Sequence, residues 1–209
     1  MLHTESPHIS RLSQRSLVED ISKQITGHHI QECIMKRERR GIFGHYYYSL
    51  LDQDNRTILS AKTNSSLLST RLLIYEPIAG TLIGRIKSDI KSISYEVSGP
   101  EVFYRIEYIE NFLGRHGPRN FKLFFREHMF QEKPPLVVNG EYFQDFHDMK
   151  LIPSIKNFVC VDSENFSKEV CLFVKSEKDI FILRVMEPFS LFIGFTLALT
   201  ALHTGIYHR

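Results

Sequence analysis

The chain closes on a run of about 19 residues without a formal charge, from Phe189 to Tyr207, whereas charges and turns punctuate every earlier segment. Phe189, Leu191, Phe192, Ile193, Phe195, Leu197, Ala198, Leu199, Ala201 and Leu202 follow Pro188 so densely that a helix built from them is apolar on every side. A surface helix needs a polar stripe, so this one is either enclosed by protein or crosses a membrane. The run sits at the lower limit for a membrane span, and length alone does not separate the two readings. Two features favour enclosure. Ser190, Thr196, Thr200 and Thr204 dilute the apolarity, and Glu187 places a carboxylate beside the positive end of the helix dipole.

Ahead of the helix lie short runs rich in β-branched and aromatic residues, at 34–35, 46–51, 57–59, 72–75, 93–97, 102–108, 121–125, 136–138, 155–161, 170–174 and 180–185. Turn residues separate nearly every pair, which is the spacing of a barrel or sandwich. Asp52-Gln-Asp-Asn55 and Gly99-Pro100 read as turns; no Gly or distal Glu at calcium-loop spacing follows the two aspartates. Only a closed sheet covers every face of a central helix. The prediction is therefore a mainly β fold, a closed antiparallel barrel of about twelve strands around a hydrophobic C-terminal α-helix over 188–202. Before it, Leu12, Leu17, Ile21 and Ile25 recur at near-helical spacing and Gly27 supplies a stop, predicting a short amphipathic helix over 10–25. The organisation read from the sequence is an N-terminal segment, 1–29, and a barrel domain, 30–209.

The 26 basic and 24 acidic residues leave a net charge of +2, too small for bulk attraction to a polyanion. The distribution is uneven, because residues 30–91 hold ten bases and six acids and the remainder of the chain is net acidic. Any anion site is a local patch. Cys33, Cys160 and Cys171 have neither disulfide-framework nor zinc-ligand spacing and read as reduced, mostly buried thiols. Residues 1–16 are polar and position 2 is not Gly, so no leader or myristoylation signal is read and a cytoplasmic protein is expected. The chain lacks a Gly-x-Ser-x-Gly elbow, a Gly-rich phosphate loop and a His-Glu-x-x-His motif. No enzyme, no cofactor and no metal site is expected. Lys36-Arg-Glu-Arg-Arg40, the densest basic run, has no interleaved aromatics of an RNA-binding sheet and reads as a solvated strand entry, so no nucleic acid is expected.

Several segments together resemble the tubby-like C-terminal domain, in the same order: Arg40-Gly-Ile-Phe43 with Tyr46-Tyr-Tyr48, Ile83-Gly-Arg-Ile-Lys-Ser88, Asn111-Phe-Leu-Gly114 with Gly117-Pro-Arg119, Ser154-Ile-Lys-Asn-Phe158, Asp179-Ile-Phe181 and the terminal helix. The resemblance spans 30–202. It implies a twelve-strand barrel plugged by its C-terminal helix and a non-enzymatic, phosphoinositide-binding function. The implied ligand is a phosphatidylinositol bisphosphate headgroup at the inner face of the plasma membrane. In that family a basic strand and the Arg of a Gly-Lys-Leu-Arg-Ser motif contact the phosphates. Aligned without gaps, Lys62 falls on the first basic position of the strand, Arg85 on the motif Lys and Lys87 on the motif Arg, with Arg71 and Lys91 as extensions of the patch.

The departures are specific. Thr63, Asn64, Ser65 and Ser66 replace a dense basic run, Phe146-His147-Asp148-Met149 stands where the family has Phe-His-Gly-Arg, and Phe173-Val174-Lys175 stands for Phe-Gly-Arg. The chain reads as a diverged, compact member. A peripheral membrane adaptor in trafficking is the reading the resemblance implies, with lipid as one partner and a trafficking-complex or cargo protein held by the N-terminal segment as another. Nuclear residence stays open. Two rival readings stand beside it: a scramblase-like or tail-anchored protein that uses the last helix as a span, and a protein-interaction or transcription-linked domain whose lipid site has decayed.

Overall fold

The computed structural model describes residues 30–40, 45–65, 70–89, 92–100, 102–109, 120–139, 141–147 and 149–203. Among the described residues fourteen strands precede one helix: β1 (Gln31–Arg40), β2 (His45–Leu51), β3 (Thr57–Ser65), β4 (Thr70–Tyr75), β5 (Leu82–Ser88), β6 (Ser94–Gly99), β7 (Val102–Tyr108), β8 (Phe121–Phe125), β9 (His128–Glu132), β10 (Leu136–Val138), β11 (Glu141–Phe143), β12 (Phe158–Asp162), β13 (Glu169–Glu177) and β14 (Ile180–Val185). The helix, α1, spans Leu191–Leu202. Twelve strands close an antiparallel barrel in the order β1, β14, β13, β12, β9, β8, β7, β6, β5, β4, β3, β2, while β10 and β11 pair with each other outside it. Closure removes the unpaired edges that an open sheet of this size would carry.

Strand alternation sorts the side chains. In β5, Gly84, Ile86 and Ser88 are buried and Arg85 and Lys87 are exposed; in β6, Tyr95 and Val97 point in and Glu96 and Ser98 out. Strands β12 and β13 break the alternation because both of their faces are covered. Val159, Val161, Leu172 and Val174 form a second apolar cluster under Phe146, Met149 and Leu151, outside the main core.

The helix occupies the barrel interior, and every residue from Ile193 to Leu202 is buried. Ser190 caps it, its hydroxyl accepting from the Ile193 N–H at 3.3 Å. The three polar groups that an all-apolar interior would strand each meet a partner on the wall. Tyr104 hydrogen-bonds Thr196, the Tyr108 hydroxyl lies 2.9 Å from Thr200 Oγ1, and the Tyr95 hydroxyl lies 3.1 Å from His203 Nδ1. Those tyrosines come from β6 and β7, so the polar stripe of α1 faces one pair of strands. Close approach of the helix start to the wall needs glycine: a Cβ at Gly84 or Gly99 would sit 2.5 or 2.4 Å from the Phe192 ring.

The closed barrel and its plug match the expected architecture, with differences in detail. Strands over 82–88, 128–132 and 141–143 are additional to the sequence reading, and 136–138 is a strand but no barrel member. The strand expected from 155 begins at Phe158, because Asn157 staples the preceding turn: its Nδ2 donates to the Ile152 carbonyl at 3.0 Å and its Oδ1 accepts from Lys175 N–H at 2.8 Å. Residues 188–190 form the approach to α1 rather than its first turn. The amphipathic helix expected over 10–25 lies outside the described residues. Among the described residues no helix is long and apolar enough to cross a membrane.

Candidate functional site

Antiparallel pairing fixes where each predicted base stands. Lys62 on β3 lies opposite Leu73 on β4, and Leu73 lies opposite Arg85 on β5. One pair further along, Asn64 lies opposite Arg71, and Arg71 lies opposite Lys87. Because neighbouring strands are about 4.8 Å apart and alternate residues share a face, Lys62, Arg71, Arg85 and Lys87 occupy one patch of outer wall across three consecutive strands. Arg71, Arg85 and Lys87 are exposed and Lys62 is half-buried. Lys91 lies outside the described residues.

Among the described residues, none of these four bases has a carboxylate within ion-pair distance. The Lys62 ammonium sits 5.1 Å from the Tyr75 ring centroid, a contact that holds the side chain along β4 and leaves its donors unspent. Arg71 and Lys87 face each other directly, and like charges in opposed positions cost a few tenths to 1 kcal/mol unless something anionic lies between them. Glu96, opposite Lys87 on β6, bounds the patch on that side.

Strand period also reinterprets the missing bases. Thr63 belongs to the inward set, with Oγ1 accepting from the Tyr46 N–H at 3.0 Å, so a base there would not join the outer patch. On the outward set Asn64 is the one lost base among the described residues, and Arg71 stands directly across from it. The other basic cluster behaves differently. Arg37 is spent on Asp179, its Nε donating at 2.7 Å, and Arg40 pairs with Glu38 and stacks on Tyr47 at 4.9 Å.

Arg105 on β7, not singled out from the sequence, extends the outward row beyond Glu96, but Glu107 holds it at 3.0 Å. Glu132 was also missed. It is 5% exposed, points into the barrel, and its Oε2 has no hydrogen-bond partner among the described residues. Burial pushes its carboxyl up to about 8. The signal was available in His128-Met-Phe-Gln-Glu132, where Glu132 shares a strand face with Phe130. The three cysteines are buried and free, and among the described residues no cluster of His, Cys, Asp and Glu could hold a metal ion.

A profile of the Tub family matches residues 126–204, from the turn between β8 and β9 through α1. Over that segment the chain is similar to the Tub family. The tubby-like match holds the last strands and the plug, which are the parts that define the barrel's closure. The basic patch lies outside the matched segment, so its assignment rests on the motif resemblance at 83–88 and on strand register. A search of curated proteins finds no match to the chain.

Proposed function

We propose that this protein is a non-catalytic membrane-docking module that binds the bisphosphate headgroup of a phosphoinositide on the outer wall of β3, β4 and β5. The observation that carries the reading is the opposed pair Arg71 and Lys87, with Arg85 and Lys62 alongside and none of them neutralised by an acid among the described residues. A bisphosphate ring presents several oxygens that accept charge-assisted hydrogen bonds, and donors from three strands contact it from more than one direction. Placing its charge between Arg71 and Lys87 removes their repulsion. Each base near an anionic leaflet contributes about 1 kcal/mol, so four give a docking that is useful and reversible.

The similarity of residues 126–204 to the Tub family supports the same reading, since the resemblance implies phosphoinositide binding without catalysis. The enclosed helix favours peripheral attachment over a tail anchor, because α1 hydrogen-bonds the wall through Tyr104 and Tyr108. Recruitment of a trafficking partner through residues 1–29, and residence at the cytoplasmic face of the plasma membrane, follow from the resemblance and belong to the proposal. Vesicle sedimentation tests it. Wild-type protein is expected to pellet with phosphatidylcholine vesicles containing phosphatidylinositol bisphosphate and not with phosphatidylcholine alone. Lys87→Ala is expected to lose about fivefold in affinity, from roughly 1 kcal/mol per base. Equal binding to both vesicle types, or an unchanged Lys87→Ala variant, would refute the proposal.

A further inference from the structure

The turn between β4 and β5 carries an apolar tip. Ile78 is 93% exposed, more than any other large hydrophobic residue among those described. The backbone beneath it is held in place. Glu76, only 9% exposed, accepts from the Ile78 N–H at 2.8 Å and the Ala79 N–H at 2.6 Å, and its own N–H donates to the Thr81 carbonyl at 2.9 Å. Gly80 turns the chain back at a φ of +65°, a conformation that suits a residue without Cβ. A buried carboxylate thus fixes two amides so that a β-branched side chain projects into solvent.

Ile78 does not stand alone. Leu82 opens β5 directly after the turn, and Phe103, 68% exposed, follows the β6 to β7 turn at the same end of the barrel. Register puts Phe103 opposite Ser98 and Ser98 opposite Arg85, so the aromatic ring and the basic patch share one outward row. Ile78 and Leu82 at the rim, with Phe103 and the bases in the rows behind them, form a graded surface, and that grading fits a bilayer whose apolar interior lies under an anionic headgroup layer.

We propose that the Ile78 turn, with Leu82 at its base, is a tip that enters the apolar boundary of an anionic bilayer while Arg85 and Lys87, with Phe103 in the row of Arg85, meet the headgroups. The inference rests on the headgroup reading above and adds an orientation to it. Three residues of strand separate Leu82 from Arg85, about 10 Å, which is close to the depth at which an interfacial element buries its apolar face. A tip at the hydrocarbon boundary therefore leaves Arg85 among the phosphates. One apolar contact alone gives marginal membrane affinity, and pairing it with a basic patch is what makes such attachment effective.

The chain contains no tryptophan, so Ile78→Trp installs a single reporter. With vesicles of phosphatidylcholine and phosphatidylinositol bisphosphate, its emission is expected to shift to the blue and to be quenched by brominated acyl chains. Ile78→Ser is expected to bind the same vesicles about tenfold more weakly and to bind soluble inositol trisphosphate as tightly as wild type. Vesicle binding without a blue shift, together with wild-type affinity for Ile78→Ser, overturns the tip and leaves the headgroup reading standing. No binding of vesicles or of inositol trisphosphate by the wild-type protein overturns both.

Discussion

Replacing Glu132 with methionine should change how stability depends on pH. The carboxyl lies inside the barrel, Oε2 lacks a partner among the described residues, and burial raises it from an ordinary value of 4.5 to about 8. The folded chain therefore keeps a proton that the unfolded chain releases through the interval between those values. Stability from this group is fully present below the unfolded value and is lost as pH rises through the folded one. Between pH 5 and pH 8 the loss amounts to about 3 kcal/mol, near a tenfold change in the folding equilibrium per pH unit over most of the range. Methionine has similar length, no charge to lose, and a thioether that adapts to an irregular space. Urea unfolding of both proteins at pH 5, 6.5 and 8 measures the effect. The stability of Glu132→Met relative to wild type should improve by about 3 kcal/mol across that range. A difference that stays constant with pH would refute the reasoning, because it would show Glu132 either ionised and paired in the fold or hydrated.

Two further outcomes follow from the packing and the charge pattern. Gly99→Ala places a Cβ 2.4 Å from Phe192 and should destabilise by about 1 to 3 kcal/mol, and combining it with Phe192→Leu should recover most of that loss; a purely additive double variant would show that the contact does not constrain α1. Vesicle binding through exposed bases should weaken strongly as salt rises from about 0.1 M to 1 M, where the screening length falls from about 10 Å to 3 Å; salt-insensitive binding would remove the patch as its source.

The closed barrel was legible because one segment narrowed the alternatives to two. An all-apolar helix after many short strands is either enclosed or a membrane span, and only a closed sheet encloses it. The strands missed by pattern have local reasons. Gly84 interrupts the apolar alternation of β5 to admit Phe192, and β9 ends on Glu132, a charge on the inward face that its polarity alone reads as outward. Leu136 to Val138 has strand composition but pairs only with β11, since partner choice is a tertiary property that local sequence does not carry. For the candidate site, Arg85 and Lys87 were legible through their motif, and Arg71 only as the next base along the chain. Its position opposite Lys87 depends on the register of β4 against β5, which no spacing rule supplies. The same register showed that Thr63 was never an outer-face position. The tip at Ile78 was invisible in sequence because Ile-Ala-Gly in a turn gives no sign that Glu76 beneath holds it exposed.

The claim at the centre of this account is that a headgroup sits on the outer wall of β3, β4 and β5. Amide chemical shifts of isotopically labelled protein, titrated with soluble inositol trisphosphate, test it most directly. The account predicts saturable shifts at Lys62, Arg71, Arg85 and Lys87 and at their cross-strand neighbours Leu73 and Glu96, with little change at Lys36 to Arg40. Absence of saturable shifts, or shifts centred on β1, would contradict it.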